Sequence, residues 1–395
     1  MWLIETEAFQ LPQLHKHLTL AATSVQRSII DTCHLLKFAF MKKYFVAVFL
    51  ILSSCKKDNV VDMTPIDAKG EILFISRRVS NSADWLMFLM NADGTNQRAV
   101  SNNLVRCSPP ILSNSRTKIA FTTYDSNYYY NLYTVDIDGR NQKLLSKGKQ
   151  FCGSPAWSPD DSRIAFVKND NNVGGTYNIY SIQPDGSNEI RLTNGNDNFS
   201  PCYLPGNNAI IFSSSNNSFT GIYKMNIDGS NKKLLTPHGK SFGDPKISPN
   251  GNMIALTSND WNGSQIFIMN SDGSNLKQIT FSVSSIYYDT GFPRDGNGNP
   301  VWSPNSNKLA YVSYENGSPD IFIINSNGTG NKRLTDTPLR DENPGWTKDG
   351  NYIIFSSNRN PNVASQIYIM RPEGQLQTPL TNYRGDNIYP TYLDK

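Results

Sequence analysis

Histidine is almost missing from this chain. Four occur in 395 residues, and only His238 lies beyond the first forty. One histidine cannot build a histidine-rich metal centre, and the cysteines show no Cys/His metal-ligand spacing, so no metal and no cofactor is expected. An excess of charge of one sign is also absent. The chain carries 37 basic and 33 acidic residues, for a net charge of +4, without a basic stripe, which argues against nucleic acid as a partner. Long apolar runs are absent too. The longest, Tyr44–Leu52, is too short to span a bilayer. A nucleophile elbow is missing as well. Gly239-Lys240-Ser241-Phe242-Gly243 has the spacing of one, but it follows a strand and runs into Pro245 rather than into a helix.

What the chain has instead is repetition. A short apolar strand runs into an Asp-Gly type turn seven times, as in IYKMNIDGSN at Ile222 and IFIMNSDGSN at Ile266. The turn glycines are Gly94, Gly139, Gly186, Gly229, Gly273, Gly328 and Gly374, spaced by 45, 47, 43, 44, 55 and 46 residues. Asp-Gly and Asn-Gly pairs supply the positive φ a hairpin turn requires. The Asp136-x-Asp138-Gly139 pattern looks faintly like a calcium loop, but has too few oxygen ligands and is read as hairpin chemistry. A second motif falls between the turns, as in PAWSPDDSRIAF at Pro155 and PVWSPNSNKLAY at Pro300. From Pro110, Pro155, Pro201, Pro245, Pro300 and Pro344, an apolar strand begins nine residues later.

A period of about 40 to 50 residues with several short strands per unit predicts a β-propeller. Each blade reads as four strands: A opening at the proline, B at Ile-Ala-Phe, C at the apolar run before the turn, and D at a Leu-Thr stretch such as Leu192-Thr193. GEILFIS at Gly70 is a B strand with no A strand before it, and Tyr389–Leu393 is an A strand with nothing after it. The expectation is an all-β, seven-bladed propeller whose first blade is closed by the C-terminal strand, which leaves no open edge.

The Pro-x-Trp-Ser-Pro-Asp pattern, best kept at Pro155, Pro300 and Pro344, resembles the WD40-like Pro-Asp repeats of the TolB propeller family over roughly Gly70 to Leu393. TolB itself has six blades and a separate α/β N-terminal domain, so seven turns depart from it. The resemblance implies a propeller in the bacterial envelope and leaves function open, since propellers host binding proteins and enzymes alike.

Residues 41–54 read as a lipoprotein signal peptide: basic Met41-Lys42-Lys43, an apolar core, then Leu52-Ser53-Ser54-Cys55, with Cys55 as the lipidated residue. Residues 1–40 read as an upstream extension outside the mature protein, 55–69 as a tether, and 70–395 as the propeller. The expected place is the outer membrane of a Gram-negative bacterium, on its periplasmic or surface side, with the lipid as the sole membrane attachment and the propeller monomeric. Cys107 and Cys152, on consecutive blades, read either as a disulfide or as two free thiols.

The D-to-A and B-to-C loops share one face, where residues ahead of each A-strand proline are expected to ring the axial entrance. Three before the proline stand Asn198, Asn297, Asp341 and Asn387; one before it stand Asp244 and Asn343. An insertion, Phe281 to Asn299, adds Tyr287, Tyr288, Asp289, Arg294 and Asp295, and Trp261 lies in a B-to-C loop of the same face. Aromatics beside Arg and carboxylates are the composition of recognition surfaces. The sequence thus points to a non-catalytic protein binding an envelope protein or glycan on its axial face. The alternative is a polysaccharide lyase or glycosidase with Asp244 and Asp341 as acid and base. A histidine-rich axial metal site, as in seven-bladed oligogalacturonate lyases, is not available to it.

Overall fold

The structure, a computed structural model, describes residues 67–78, 85–101, 107–125, 129–146, 151–169, 175–216, 218–258, 264–281, 297–360 and 362–393. Cys55, Trp261, Tyr287, Tyr288, Asp289, Arg294 and Asp295 lie outside them, as does the Asn297 side chain. Among the described residues the strands form seven four-stranded antiparallel sheets, one per blade. The C-terminal strand Asn387–Leu393 is the inner strand of the first blade, pairing with Glu71–Ser76 in the register Leu73↔Thr391 and Glu71↔Leu393. The expected fold and its closure are therefore both present.

The B strands carry the core. In Lys118–Tyr124, Ile119, Ala120 and Phe121 are fully buried, and Ile164, Ala165 and Phe166 repeat the pattern one blade on. A strand buried on both faces is what stacking blades demands. The core consists of a cluster at each interface between blades: Leu73 and Leu89 meet Ile119 and Phe121, and Ile354 and Ile369 meet Ile72 and Phe74 across the closing interface. Each such side chain contributes about 1.5–3 kcal/mol of burial.

Two details correct the sequence reading. In the second blade Ile111–Leu112 begins directly after Pro110, as expected, but in the third to seventh blades the A-strand prolines do not open their strands. Pro155 sits inside Cys152–Trp157, where the register slips between Gly153 and Ala156. The slip recurs between Phe199 and Cys202, Gly243 and Lys246, Gly298 and Val301, and Glu342 and Gly345. A residue without an N–H is tolerated inside a sheet at such a bulge.

The D strands end before the Leu-Thr stretches. Ile190–Arg191 precedes Leu192-Thr193, and Lys277–Gln278 precedes Ile279-Thr280. The leucine or isoleucine packs between blades, while the hydroxyl accepts an N–H near the start of the C strand. Thr193 takes Ile179 N–H at 2.8 Å, Thr280 takes Ile266 at 2.8 Å and Thr381 takes Ile367 at 2.9 Å. The C–D turns lean on the neighbouring blade. At Gly139, φ is +87° and a Cβ would lie 2.4 Å from the Val100 carbonyl, so both conformation and space require glycine.

Candidate functional site

The expected axial ring divides into two sets. The residues one before each proline form the first. Ser154, Ser200, Asp244, Asn299, Asn343 and Tyr389 all adopt left-handed backbone, with φ of 48°, 49°, 49°, 51°, 55° and 54°. Each is exposed or half-buried, and the proline after it is buried. This conformation is costly for residues with a Cβ, and Asn, Asp and Ser, which bond locally through short polar side chains, are suited to it. The rim is a repeated bulge in which proline turns inward to the blade and its predecessor turns outward. Two neighbouring rim residues touch, Ser200 Oγ donating to Asp244 Oδ1 at 3.1 Å, while Asn343 Nδ2 reaches Ser356 Oγ of the adjacent strand of its own blade at 3.4 Å.

The residues three before each proline do something else. Asn198, Asp341 and Asn387 are fully buried. Asn198 Nδ2 donates to the Tyr177 carbonyl at 3.3 Å, bridging to the preceding blade. Asn387 donates from Nδ2 to Gln366 Oε1 at 3.2 Å, and its Oδ1 accepts from Ser76 Oγ at 2.8 Å. Asp341 pairs with Arg359 at 3.0 Å and accepts from Thr337 Oγ1 at 3.1 Å. Its backbone N–H donates to the Pro319 carbonyl of the preceding blade. Asn198 and Asn387 are interblade staples and Asp341 is held in a buried ion pair; none is an entrance group, because the bulge flips the alternation of the strand between the two positions. Asp244 and Asp341 thus occupy different environments, one on the rim and one inside an interblade contact.

Asp341 lies in a buried charge cluster. Asp320, also fully buried, pairs with Arg333 at 2.7 Å. Burial pushes the Asp320 carboxyl up to about 6; Arg333 pulls it down and the neighbouring Asp341 raises it. Cys107, Cys152 and Cys202 are free thiols, and burial pushes Cys152 up to about 11. Among the described residues, no group of three or more His, Cys, Asp or Glu is placed to hold a metal ion.

A cavity of about 1080 Å³ runs along the inner strands, lined by residues of the second to sixth blades. Its wall holds aromatic residues that the ring argument missed. Tyr130 and Phe151 stack at 5.4 Å, Phe151 meets Tyr177 edge-on at 5.6 Å, and Tyr177 meets Phe199 at 5.4 Å. Tyr124 extends the row, 4.7 Å from Tyr130. Phe151 is 44% exposed. A signal for part of this row was present. Counting nine back from each turn glycine gives Trp85, Tyr130 and Tyr177 on three consecutive blades, against Thr220, Ser264, Pro319 and Ser365 on the others.

Comparison with known proteins follows the repeats. The family model of the TolB beta propeller domain matches residues 68–287 and 290–393. The chain is 35% identical over 78 residues to the Tol-Pal system protein TolB of Geobacter sulfurreducens, a stretch covering 20% of this chain and 17% of that protein. It is 27% identical over 93 residues to the TolB homolog of Chlorobium luteolum, covering 24% and 20%. The matched stretches thus span a fifth or less of these relatives' length. Among solved structures, TolB from Acinetobacter baumannii superposes with a TM-score of 0.50 at 19% identity, over 81% of this chain and 82% of that one. Oligogalacturonate lyase from Vibrio parahaemolyticus gives 0.58 at 11%, over 78% and 92%. At such identities the likeness is one of fold alone.

Proposed function

The chain belongs to the TolB beta propeller domain family, and on that premise we propose that it is a non-catalytic lipoprotein of the Gram-negative envelope that captures an envelope protein or glycan on its axial face. The observation that carries this reading is the axial cavity with its polar rim. A cavity of about 1080 Å³ runs along the inner strands, the rim residues Ser154 and Ser200 line it, and all six rim residues stand exposed or half-buried. Left-handed residues also recur in the turns at the other end of the strands, at Asn96, Asn141, Asn188, Asn231 and Asn275, so the cavity, and not backbone conformation, distinguishes the axial face; the relatives' printed names are those of a Tol-Pal system protein TolB and a TolB homolog. A lyase or glycosidase reading needs two carboxylates at the axial pocket, and Asp341 is enclosed with Arg359.

The insertion residues Tyr287, Tyr288, Asp289, Arg294 and Asp295, with Trp261, are proposed as further contacts on this face. Removing the Tyr287, Tyr288 and Arg294 side chains together is expected to leave the melting temperature nearly unchanged and to abolish partner capture from envelope extracts. Anchors of this type each carry about 2 kcal/mol or more. Capture at the wild-type level would exclude the insertion, and Asp244→Asn, read both in capture and in turnover of candidate polysaccharides, separates binding from acid–base chemistry. A binding protein loses little, whereas an enzyme using that carboxylate loses roughly 10²-fold or more in rate. Attachment through Cys55 predicts that Cys55→Ala moves the protein from the membrane to the soluble fraction; an unchanged distribution would contradict it.

A further inference from the structure

We propose that the aromatic row Tyr124–Tyr130–Phe151–Tyr177–Phe199 is a stacking platform for an uncharged glycan, which gives the axial-face reading above, on which it rests, a definite ligand class. The row crosses the second, third and fourth blades at the B-to-C and D-to-A end of the strands, with neighbouring ring centroids 4.7 to 5.6 Å apart. Tyr130, Phe151, Tyr177 and Phe199 all line the cavity, as do the hydroxyl residues Ser154 and Ser200 of the rim. One wall therefore presents aromatic side chains and hydroxyl groups side by side. A pyranose ring has the matching character, with C–H groups on its faces and hydroxyls at its edge. Aromatic rings with a wet edge are the side chains suited to such a surface.

Charge selects within the class of glycans. Among the described residues, Lys246 is the sole charged side chain lining the cavity. A polyuronate or a phosphorylated glycan would arrive with repeated negative charges and meet a single cation. Desolvating unpaired charge is expensive, so the wall favours a neutral ligand.

An extended peptide fits this wall less well. Strand addition to an inner edge needs an unbroken row of backbone donors and acceptors. The inner strands of the third to seventh blades instead slip register at their bulge, where a proline without an N–H follows a left-handed residue. The edge that faces the cavity is interrupted in each of these blades.

The test is native affinity electrophoresis of the full chain through gels containing, in turn, hydroxyethyl cellulose, xylan, galactomannan, amylopectin and polygalacturonate. The wild type should be retarded by at least one neutral polymer and not by polygalacturonate. Phe151→Ala and Phe151→Leu should weaken that retardation about tenfold or more, a change of about 1.4 kcal/mol, with melting temperatures within about two degrees of wild type. The leucine variant keeps an apolar side chain and loses the flat ring, so it separates stacking from packing. Phe151 is half-exposed, so these variants should fold; Tyr177→Phe, which keeps its ring, should bind as wild type. Retardation by no neutral polymer, retardation by polygalacturonate alone, or unchanged binding in both Phe151 variants would overturn the proposal. Should the Phe151 variants instead lose capture of a protein partner while no glycan binds, the platform is a protein site: the glycan inference fails and the axial-face reading stands. If neither ligand depends on this face, both fail.

Discussion

Ser200 donates a hydrogen bond to Asp244 at 3.1 Å across the boundary between the fourth and fifth blades, and both residues hold φ at 49° immediately before a buried proline. The contact joins two copies of one bulge. Residue choice at the rim is governed by backbone conformation as well as by any ligand. Ser154→Gly should therefore leave the melting temperature unchanged or raise it, because glycine enters this region freely. Ser154→Val should lower stability by about 1–2 kcal/mol or more, since a β-branched side chain is least compatible with positive φ. Thermal melts of the two variants check this; a valine variant as stable as the glycine one would mean that the rim backbone relaxes out of the left-handed region.

Closure of the ring yields a second expectation. Tyr389 to Lys395 holds much of the strand that pairs with Glu71–Ser76, and Leu393 packs in the cluster with Leu73 and Phe121. Deleting these residues exposes a sheet edge in the first blade and loosens its contact with both neighbours. The truncated protein should melt well below the full chain in a single cooperative transition. An unchanged melting temperature would show that the first blade does not need its inner strand.

A third expectation concerns pH. The Asp320 carboxyl is pushed from its ordinary 3.8 up to about 6, mainly by burial, with Arg333 and Thr335 opposing and Asp341 reinforcing the rise. The folded state therefore holds this proton more tightly than the unfolded state. The stability it contributes is fully present below about pH 4 and is lost as pH rises through about 6. Turn carboxylates such as Asp93 and Asp228, held below their ordinary value first by hydrogen bonds from Thr95 and Ser230, act the opposite way. Their contribution is lost only as pH falls below the ordinary carboxylate value. Urea denaturation at about pH 4.5 and 6.5 should show wild type losing stability with rising pH and Asp320→Asn losing markedly less. Equal slopes would contradict the assignment.

Much of this architecture was legible because a propeller repeats its constraints. Seven turn glycines fixed the blade count, and an unmatched B strand at Gly70 with an unmatched A strand at Tyr389 implied the closure. The site was less legible. Position ahead of the proline set the residues one and three before it on the same entrance, and a bulge that this position does not reveal separates them. Asn198 and Asn387 became interblade staples and Asp341 a buried ion-pair partner, while Asp244 stayed on the rim. The aromatic row was hidden for a different reason. It is assembled from different strands of adjacent blades, and Phe151 and Phe199 occupy different positions of the repeat. Aligning the C strands on their turn glycines recovers Tyr130 and Tyr177 and nothing more of the row.

The central claim is that the partner sits on the axial face and not on the face of the Asp-Gly turns. The most direct measurement is photo-cross-linking in intact cells with a reactive residue placed at Ser154 on the rim or at Asp228 in a turn at the opposite end of the strands. Both positions are exposed, so reactivity alone does not bias the comparison. A discrete cross-linked species from position 154 and none from position 228 is the predicted result. A discrete species from position 228 alone would contradict the account and move the binding surface to the other end of the propeller.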